Sequence, residues 1–172
     1  MPLYHLSNYR TERQLADMLR LEADGICIFC PPHLDHDAVQ RTVYRNEHWA
    51  VTPNEFPYRG ARLHLLMVPH DHVTDLADLD PQAQASFWKT LSWIRDRYDI
   101  TSYGIGVRNG NGLFTGATIE HVHVHVIVGD VDDPAHEPVR MKLSTRPDRE
   151  KESRLRDRIR DIDPNQLDTG LA

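Results

Sequence analysis

Two cysteines are all that this chain of 172 residues contains, and they stand close together as Cys27 and Cys30. A disulfide framework is thereby excluded. A chain of this length needs none, because it buries enough surface to hold a core unaided. Long apolar runs are also missing, and none approaches the roughly 18 residues of a membrane-spanning helix. Nor is there an excess of basic charge. Lys plus Arg total 20 against 26 for Asp plus Glu, a formal net charge of −6. That argues against a protein that coats nucleic acid or an anionic membrane. The opening residues Met1-Pro2-Leu3-Tyr4-His5 lack the basic and apolar regions of a secretory leader, so the expected compartment is the cytoplasm. There is no internal repeat and no low-complexity tract. At 40% hydrophobic and 27% charged residues, the composition is that of one soluble globular domain.

Three helices are expected. The first spans residues 11–24, where Leu15, Met18, Leu19 and Leu21 form an apolar stripe and Gly25 follows as a stop. The second is capped by Asp80, carries Pro81 in its first turn and spaces Phe87, Leu91, Ile94 and Tyr98 three or four apart. The third, from about 148 to 162, mixes charges around a narrow stripe of Leu155, Ile159 and Ile162 and reads as a solvated face. Strands are expected at 43–45, 49–52, 63–68, 103–107 and 118–128. Strands and helices do not alternate, which favours an antiparallel α+β sheet over a doubly wound one. The expected organisation is an N-terminal helical extension over 1–24, a domain over 25–130 and a C-terminal tail over 131–172.

What the chain has in abundance is histidine, 11 residues, three of them at alternate positions: His121, His123 and His125. At this frequency about 0.05 such triplets are expected by chance. On one continuous strand the three would share a face, with the intervening valines on the other. Three neighbouring imidazoles oppose one another's protonation, which makes a purely structural reason hard to find. Two chemistries fit: a zinc ion held by histidines with an open position for water, or a nucleophilic imidazole oriented by its neighbours. The segment Arg108 to Thr118, rich in glycine, leads into the triplet and offers backbone N–H groups suited to phosphate oxygens. Cys27 and Cys30 have three readings of their own: a redox pair, an inert buried pair, or half of a metal site.

His121-Val122-His123-Val124-His125-Val126-Ile127 resembles the signature of the histidine triad superfamily. Gly116-Ala117-Thr118-Ile119-Glu120 resembles the phosphate-contacting stretch before it. Leu65-Leu66-Met67-Val68-Pro69-His70-Asp71-His72 resembles the family strand that ends in Pro-x-x-His, and Cys27-Ile28-Phe29-Cys30 resembles the opening motif of many bacterial members. The likeness covers roughly residues 24–130 with the motifs in order. Many members carry Gln before the Ser or Thr, where this chain has Ala117, so one phosphate or leaving-group contact is missing.

The resemblance implies a five-stranded antiparallel sheet with a packed helix. It implies an enzyme that attacks the α-phosphate of a nucleotide, adenine-containing by family default. His123 would be the nucleophile and would pass through a nucleotidyl-histidine, and His125, Asn109 and Thr118 would contact phosphate. Asn54 sits where the family binds ribose, although an Asn before Pro57 is equally a turn residue. The resemblance further implies a structural zinc held by Cys27, Cys30, His72 and His121, with His33, His36 and His70 as neighbouring competitors. It also implies a homodimer that pairs through the helix at 81–99, which carries Phe87, Trp88 and Trp93. A dinucleoside polyphosphate phosphorylase is an alternative within the family. Outside it, the alternatives are a zinc hydrolase or lyase using the three histidines as ligands, and a non-catalytic nucleotide-binding module.

Overall fold

Five antiparallel strands make one sheet in the computed structural model, which describes residues 2–36 and 41–160. They are β1 (Tyr44–Arg45), β2 (Trp49–Pro53), β3 (Ala61–Pro69), β4 (Gly104–Val107) and β5 (Val124–Gly129), and the order across the sheet is β1-β2-β3-β5-β4. The helices are α1 (Glu12–Ala23), the single turn α2 (His33–His36), α3 (Pro81–Tyr98), the single turn α4 (Gly112–Thr115) and α5 (Arg149–Arg160). The fold is thus α+β, as expected. The last residue of the expected tail stripe, Ile162, lies outside the described residues. Among the described residues, no helix is long and apolar enough to cross a membrane.

Local chemistry sets the helix ends. Thr11 caps α1 by accepting from the Gln14 N–H, and Asp80 caps α3 by accepting from the Gln82 N–H, with Pro81 just inside. Both faces of the sheet are buried. On one, Trp49, Val51, Leu65, Met67, Val124 and Val126 pack against Leu91 and Ile94 of α3. On the other, Ala50, Leu66 and Val68 meet Cys27, Phe29 and Leu34. Burying β3 on both sides explains why it reads as an almost unbroken apolar run.

Two expectations are corrected. The strand expected over 118–128 begins only at Val124, so His125 alone of the three histidines lies within it. Residues 118–122 pair elsewhere. His5 N–H donates to Thr118 O, Glu120 N–H to Leu3 O and Val122 N–H to Val73 O, each at 2.8 Å. The N-terminal segment thus takes the place of a neighbouring strand before β5 starts.

The second correction concerns α5, which is not a solvated face. Leu155 and Glu152 are buried, and Leu155 joins Tyr4, Leu6, Leu15, Met18 and Leu19 in a separate apolar cluster. Glu152 accepts from the backbone N–H groups of Leu6 and Ser7 at 3.0 and 2.7 Å. Glu22 does the same for Leu3 and Tyr4 at 3.1 and 2.9 Å. Arg156 bridges the two carboxylates at 2.8 and 2.7 Å. The charge alternation of α5 therefore serves a network that ties α5 and α1 to residues 3–7. Burial alone would raise the Glu152 carboxyl, but the bonds from Ser7 and Leu6 and the Arg156 charge hold it below its ordinary value.

Replacing Glu152 by Ala strands two N–H groups and takes from Arg156 one of the two carboxylates it bridges. The expected loss is about 2–3 kcal/mol, seen as a Tm lower by roughly 5–10 °C in thermal unfolding. Because the carboxyl is depressed in the folded state, its contribution is full above its unfolded value near pH 4.3 and fades as pH falls below that. An unchanged Tm in the Glu152→Ala protein contradicts the clamp.

Candidate functional site

His123 sits between the N-terminal segment and the sheet, partly exposed at the bottom of a cavity of about 750 Å³. Its Nδ1–H donates to the carbonyl of His121 at 2.9 Å. That bond fixes the tautomer and leaves the Nε2 lone pair unprotonated. Burial pushes the ring down to about 4, and the cations of Arg108 and Arg10 act in the same direction. A neutral imidazole with a free lone pair is a nucleophile at neutral pH. Phe29 holds it edge-on, with ring centroids 5.0 Å apart.

His125 is buried in a chain of bonds. His64 Nε2 lies 2.8 Å from His125 Nδ1, Tyr58 N–H donates to His64 Nδ1 at 3.1 Å, and Arg108 Nη1 donates to His125 Nε2 at 3.1 Å. Two neutral rings between two outer donors must then place both their hydrogens on the shared pair. The chain holds one hydrogen too many, and losing either outer donor relieves it. The Tyr58 donor is backbone and fixed. Arg108 Nε and Nη2 are held by Lys142 O and the Tyr58 hydroxyl, each at 2.8 Å, so Nη1 is the one of its nitrogens whose hydrogens a bound ligand can take. Burial lowers both ring pKa values, that of His64 to about 4.

Cys27, Cys30, His72 and His121 form a second cluster, the one group of four metal-capable side chains among the described residues. His121 Nε2–H donates to Pro69 O at 2.9 Å, which turns its Nδ1 lone pair toward both sulfurs at 3.5 Å. His72 Nδ1 lies 3.1 Å from Cys30 Sγ. Tetrahedral zinc with ordinary bond lengths separates its sulfur and nitrogen ligands by about 3.5 Å, so the donor set and spacing fit a metal ion. Burial pushes the Cys27 thiol up to about 12 and raises Cys30 as well, so two thiolates here require a cation beside them. Of the neighbouring histidines, His70 is turned away to the Glu47 carbonyl at 3.0 Å, and His33 lines the cavity.

The remaining expected residues divide. Asn54 and Thr118 both line the cavity with His123 and His125. Asn54 is also a turn residue, since its Oδ1 accepts from the Phe56 N–H at 3.1 Å. Asn109 is off the wall, and its Oδ1 accepts from the Leu76 N–H at 3.1 Å. Arg108, next to it, occupies the wall.

Residues 36–132, more than half of the chain, match the HIT domain. The chain belongs to the HIT family. It is 29% identical over 93 residues to an uncharacterized HIT-like protein of Chlamydia muridarum (strain MoPn / Nigg), covering 51% of this chain and 69% of that one. A second uncharacterized HIT-like protein, from Chlamydia trachomatis serovar D, is 28% identical over 93 residues, covering 51% and 78%. Among solved structures, a zinc-bound histidine triad family protein from Mycobacterium smegmatis is similar at 24% identity and a TM-score of 0.45, covering 74% of this chain and 89% of that one. Membership in the HIT family supports a nucleotide hydrolase or transferase in general terms.

Three features of this HIT protein escaped the sequence reading. His64 was a polar residue within an apolar strand, at the parity of Leu66 and Val68, which is the site face. Arg108 shares the parity of Gly106, which lies opposite His125 in the β4–β5 register. Both signals were available. The third was not: Met18 and Leu21 of α1, Ile28 and Ile119 wall the cavity, and α1 lies before the matched HIT domain.

The buried histidine pair gives a direct check. In NMR titration the His64 ring is expected to stay neutral from pH 8 down to about 5.5, with its midpoint near 4. Since the unfolded value is near 6.5, stability is full above that and declines as pH falls toward 4. A His64 midpoint above 6 contradicts the chain described.

Proposed function

We propose that the protein is a nucleotide hydrolase or transferase that works through a nucleotidyl-histidine on His123. One observation carries this reading: the Nδ1–H bond to the His121 carbonyl, which leaves Nε2 as a lone pair facing the cavity beside Arg108 and His125. In the first step Nε2 attacks the α-phosphorus, and the bond from phosphorus to the leaving group breaks with its electron pair going to the leaving group. The positive charge that develops on the ring is spread toward the His121 carbonyl through Nδ1–H. Charge building on the phosphate oxygens is met by Arg108 and by the Thr118 hydroxyl.

Substrate binding also settles the hydrogen-bond chain. A phosphate oxygen that takes Arg108 Nη1 frees His125 Nε2 from its donor. His125 Nδ1 can then accept from His64 Nε2–H, and His125 Nε2–H becomes a donor to phosphate. In the second step water attacks phosphorus, the phosphorus–nitrogen bond breaks, and a nucleoside monophosphate leaves. The apolar wall of Ile28, Phe29, Leu21 and Met18 suits a base, and adenine is the expected one.

Cys27, Cys30, His72 and His121 would hold zinc as a closed structural centre that crosslinks the N-terminal segment, the end of β3 and the triplet. The same reading takes the protein as a cytoplasmic homodimer. The exposed Trp88 on α3 supports α3 as the pairing face.

His123→Asn is expected to lower kcat on an adenosine phosphoramidate or diadenosine tetraphosphate by at least about 1,000-fold, while nucleotide affinity stays within a few fold. Turnover surviving within tenfold refutes the nucleophile. Metal analysis of protein purified without chelator is expected to find one zinc per chain. Cys27→Ser should lose it and lower Tm by roughly 5 °C or more. Well under one zinc per chain, with Tm unchanged in the variant, refutes the metal centre.

A further inference from the structure

Residues 136–148 form neither helix nor strand, yet they lie as a strap that is fixed along its length between β5 and α5. Just before it, the Asp130 N–H donates to Gly60 O at 2.8 Å. Arg59 pairs with Glu137 at 2.6 Å, and the Glu137 backbone lies so close to Gly60 that a Cβ there has no room. Further on, Met141 covers Gly106 of β4, and the Lys142 side chain passes over Gly116 of the glycine-rich loop. A Cβ at either glycine would collide with it. The Thr145 N–H donates to Phe114 O at 2.7 Å. Arg140 and Lys142 line a groove of about 700 Å³ that meets the cavity of His123 at Arg10, Arg108, Gly116 and Thr118. The strap lies outside the matched HIT domain.

Arg108 is the group on which the strap bears. It is buried, and among the described residues its hydrogen bonds go to uncharged acceptors: Lys142 O, the Tyr58 hydroxyl and His125 Nε2. A buried cation with only neutral partners lacks the counter-charge that burial calls for, and an anion in the cavity supplies it. The strap sets the direction of that cation. Gly106 and Arg108 are two residues apart and share a face. With only a hydrogen at position 106, Met141 settles against the sheet, and the next carbonyl, that of Lys142, comes onto Arg108 Nε at 2.8 Å. A guanidinium is planar and rigid, so fixing Nε and Nη2 leaves Nη1 one direction. That direction is toward His125 and the cavity.

We propose that the strap over residues 137–145 is a positioning element of the phosphate site: its Lys142 carbonyl aims Arg108 Nη1 at one non-bridging oxygen of the bound phosphate, and Gly106 is the residue that lets the strap come close enough. The inference rests on the reading of Arg108 as a phosphate cation. An arginine fixed before the ligand arrives loses no side-chain freedom on binding, and it already points where charge builds on the oxygens. Lifting the strap leaves the cation in place but free to swing about its stem, so the charge stays and the aim is lost. Gly106 and Met141 line neither the cavity nor the groove, so they act on the substrate through Arg108 alone.

The test places sulfur at one non-bridging position of the α-phosphorus of diadenosine tetraphosphate and assays the two diastereomers separately. An aimed guanidinium meets one of the two positions, so the native chain should favour one diastereomer by about tenfold or more in kcat/KM. Gly106→Ala should lower that preference to within about threefold, as Arg108→Ala does. Met141→Trp, which adds bulk from the strap side and leaves the sheet untouched, should do the same. Removing the collision in a Gly106→Ala, Met141→Ala double variant should restore the preference. Gly104→Ala, on the same strand but with open space around it, should leave it unchanged. The Arg108 Nε–H should give a slowly exchanging NMR signal in the native chain and a faster one in Gly106→Ala. A strap that only stabilises the fold would lower Tm and slow both diastereomers alike. A preference kept in either single strap variant that folds, or absent from the native chain, therefore overturns the proposal. If the native chain turns over neither diastereomer, calorimetry with adenosine monophosphate decides. Affinity lower by about tenfold in both Arg108→Ala and Gly106→Ala keeps the strap's role while the chemistry at His123 falls. Affinity unchanged in Gly106→Ala overturns the strap.

Discussion

The antiparallel pairing of β3 with β5 is the constraint on which everything else rests. Its register sets Leu66 opposite His125 and His64 opposite Ile127. That puts His64 and His125 on one face as diagonal neighbours, close enough for their rings to bond. The same pairing ends at Met67 and Val124, and the chain on either side of that end is then free to diverge. On one side Pro69 presents its carbonyl to His121, and on the other the His121 carbonyl turns to His123. Two backbone carbonyls thereby select two opposite tautomers. His121 offers Nδ1 to the cysteines and His123 keeps Nε2 for the cavity. Three histidines at alternate positions take three different hydrogen-bond environments because the strand stops before it reaches two of them.

The extensions complete what the central sheet begins. Glu22 and Glu152 hold the backbone of residues 3–7, with Arg156 between them. That clamp carries Arg10 and α1 to the cavity, while the strap carries Arg140 and Lys142 to the neighbouring groove. Buried between them, His5 and Glu120 pair directly, and Glu120 also accepts from the Gly112 N–H at 2.9 Å. That network fastens the glycine-rich loop to the N-terminal segment. Neutral imidazoles thus line the cavity while cations stand where it meets the groove.

Much of this was legible in the residues. The apolar runs and breakers of residues 49–69 and 81–98 located β2, β3 and α3, since burial on both sheet faces leaves few other ways to place them. The spacing of the four metal-capable residues came through the family resemblance, and the geometry brings those four together. What was less legible depends on contacts distant in sequence. The valine alternation over 122–128 predicts a strand throughout, yet Thr118, Glu120 and Val122 pair with residues more than 40 positions away. The mixed charges of α5 carry no mark of the backbone N–H groups that Glu152 binds near residue 6. Arg108 and Asn109 could each have faced the cavity, and the register of β4 against β5 decides for Arg108.

The central claim is a covalent bond between His123 and a nucleotide, and it can be sought directly. Protein mixed with dinucleoside polyphosphate labelled at the α-phosphate and quenched in alkali within milliseconds should yield a peptide spanning His123 that carries the label. That adduct should be released by acid, as a phosphorus–nitrogen bond to imidazole is. Label on a different residue, or steady turnover with no labelled peptide at any quench time, would contradict the account.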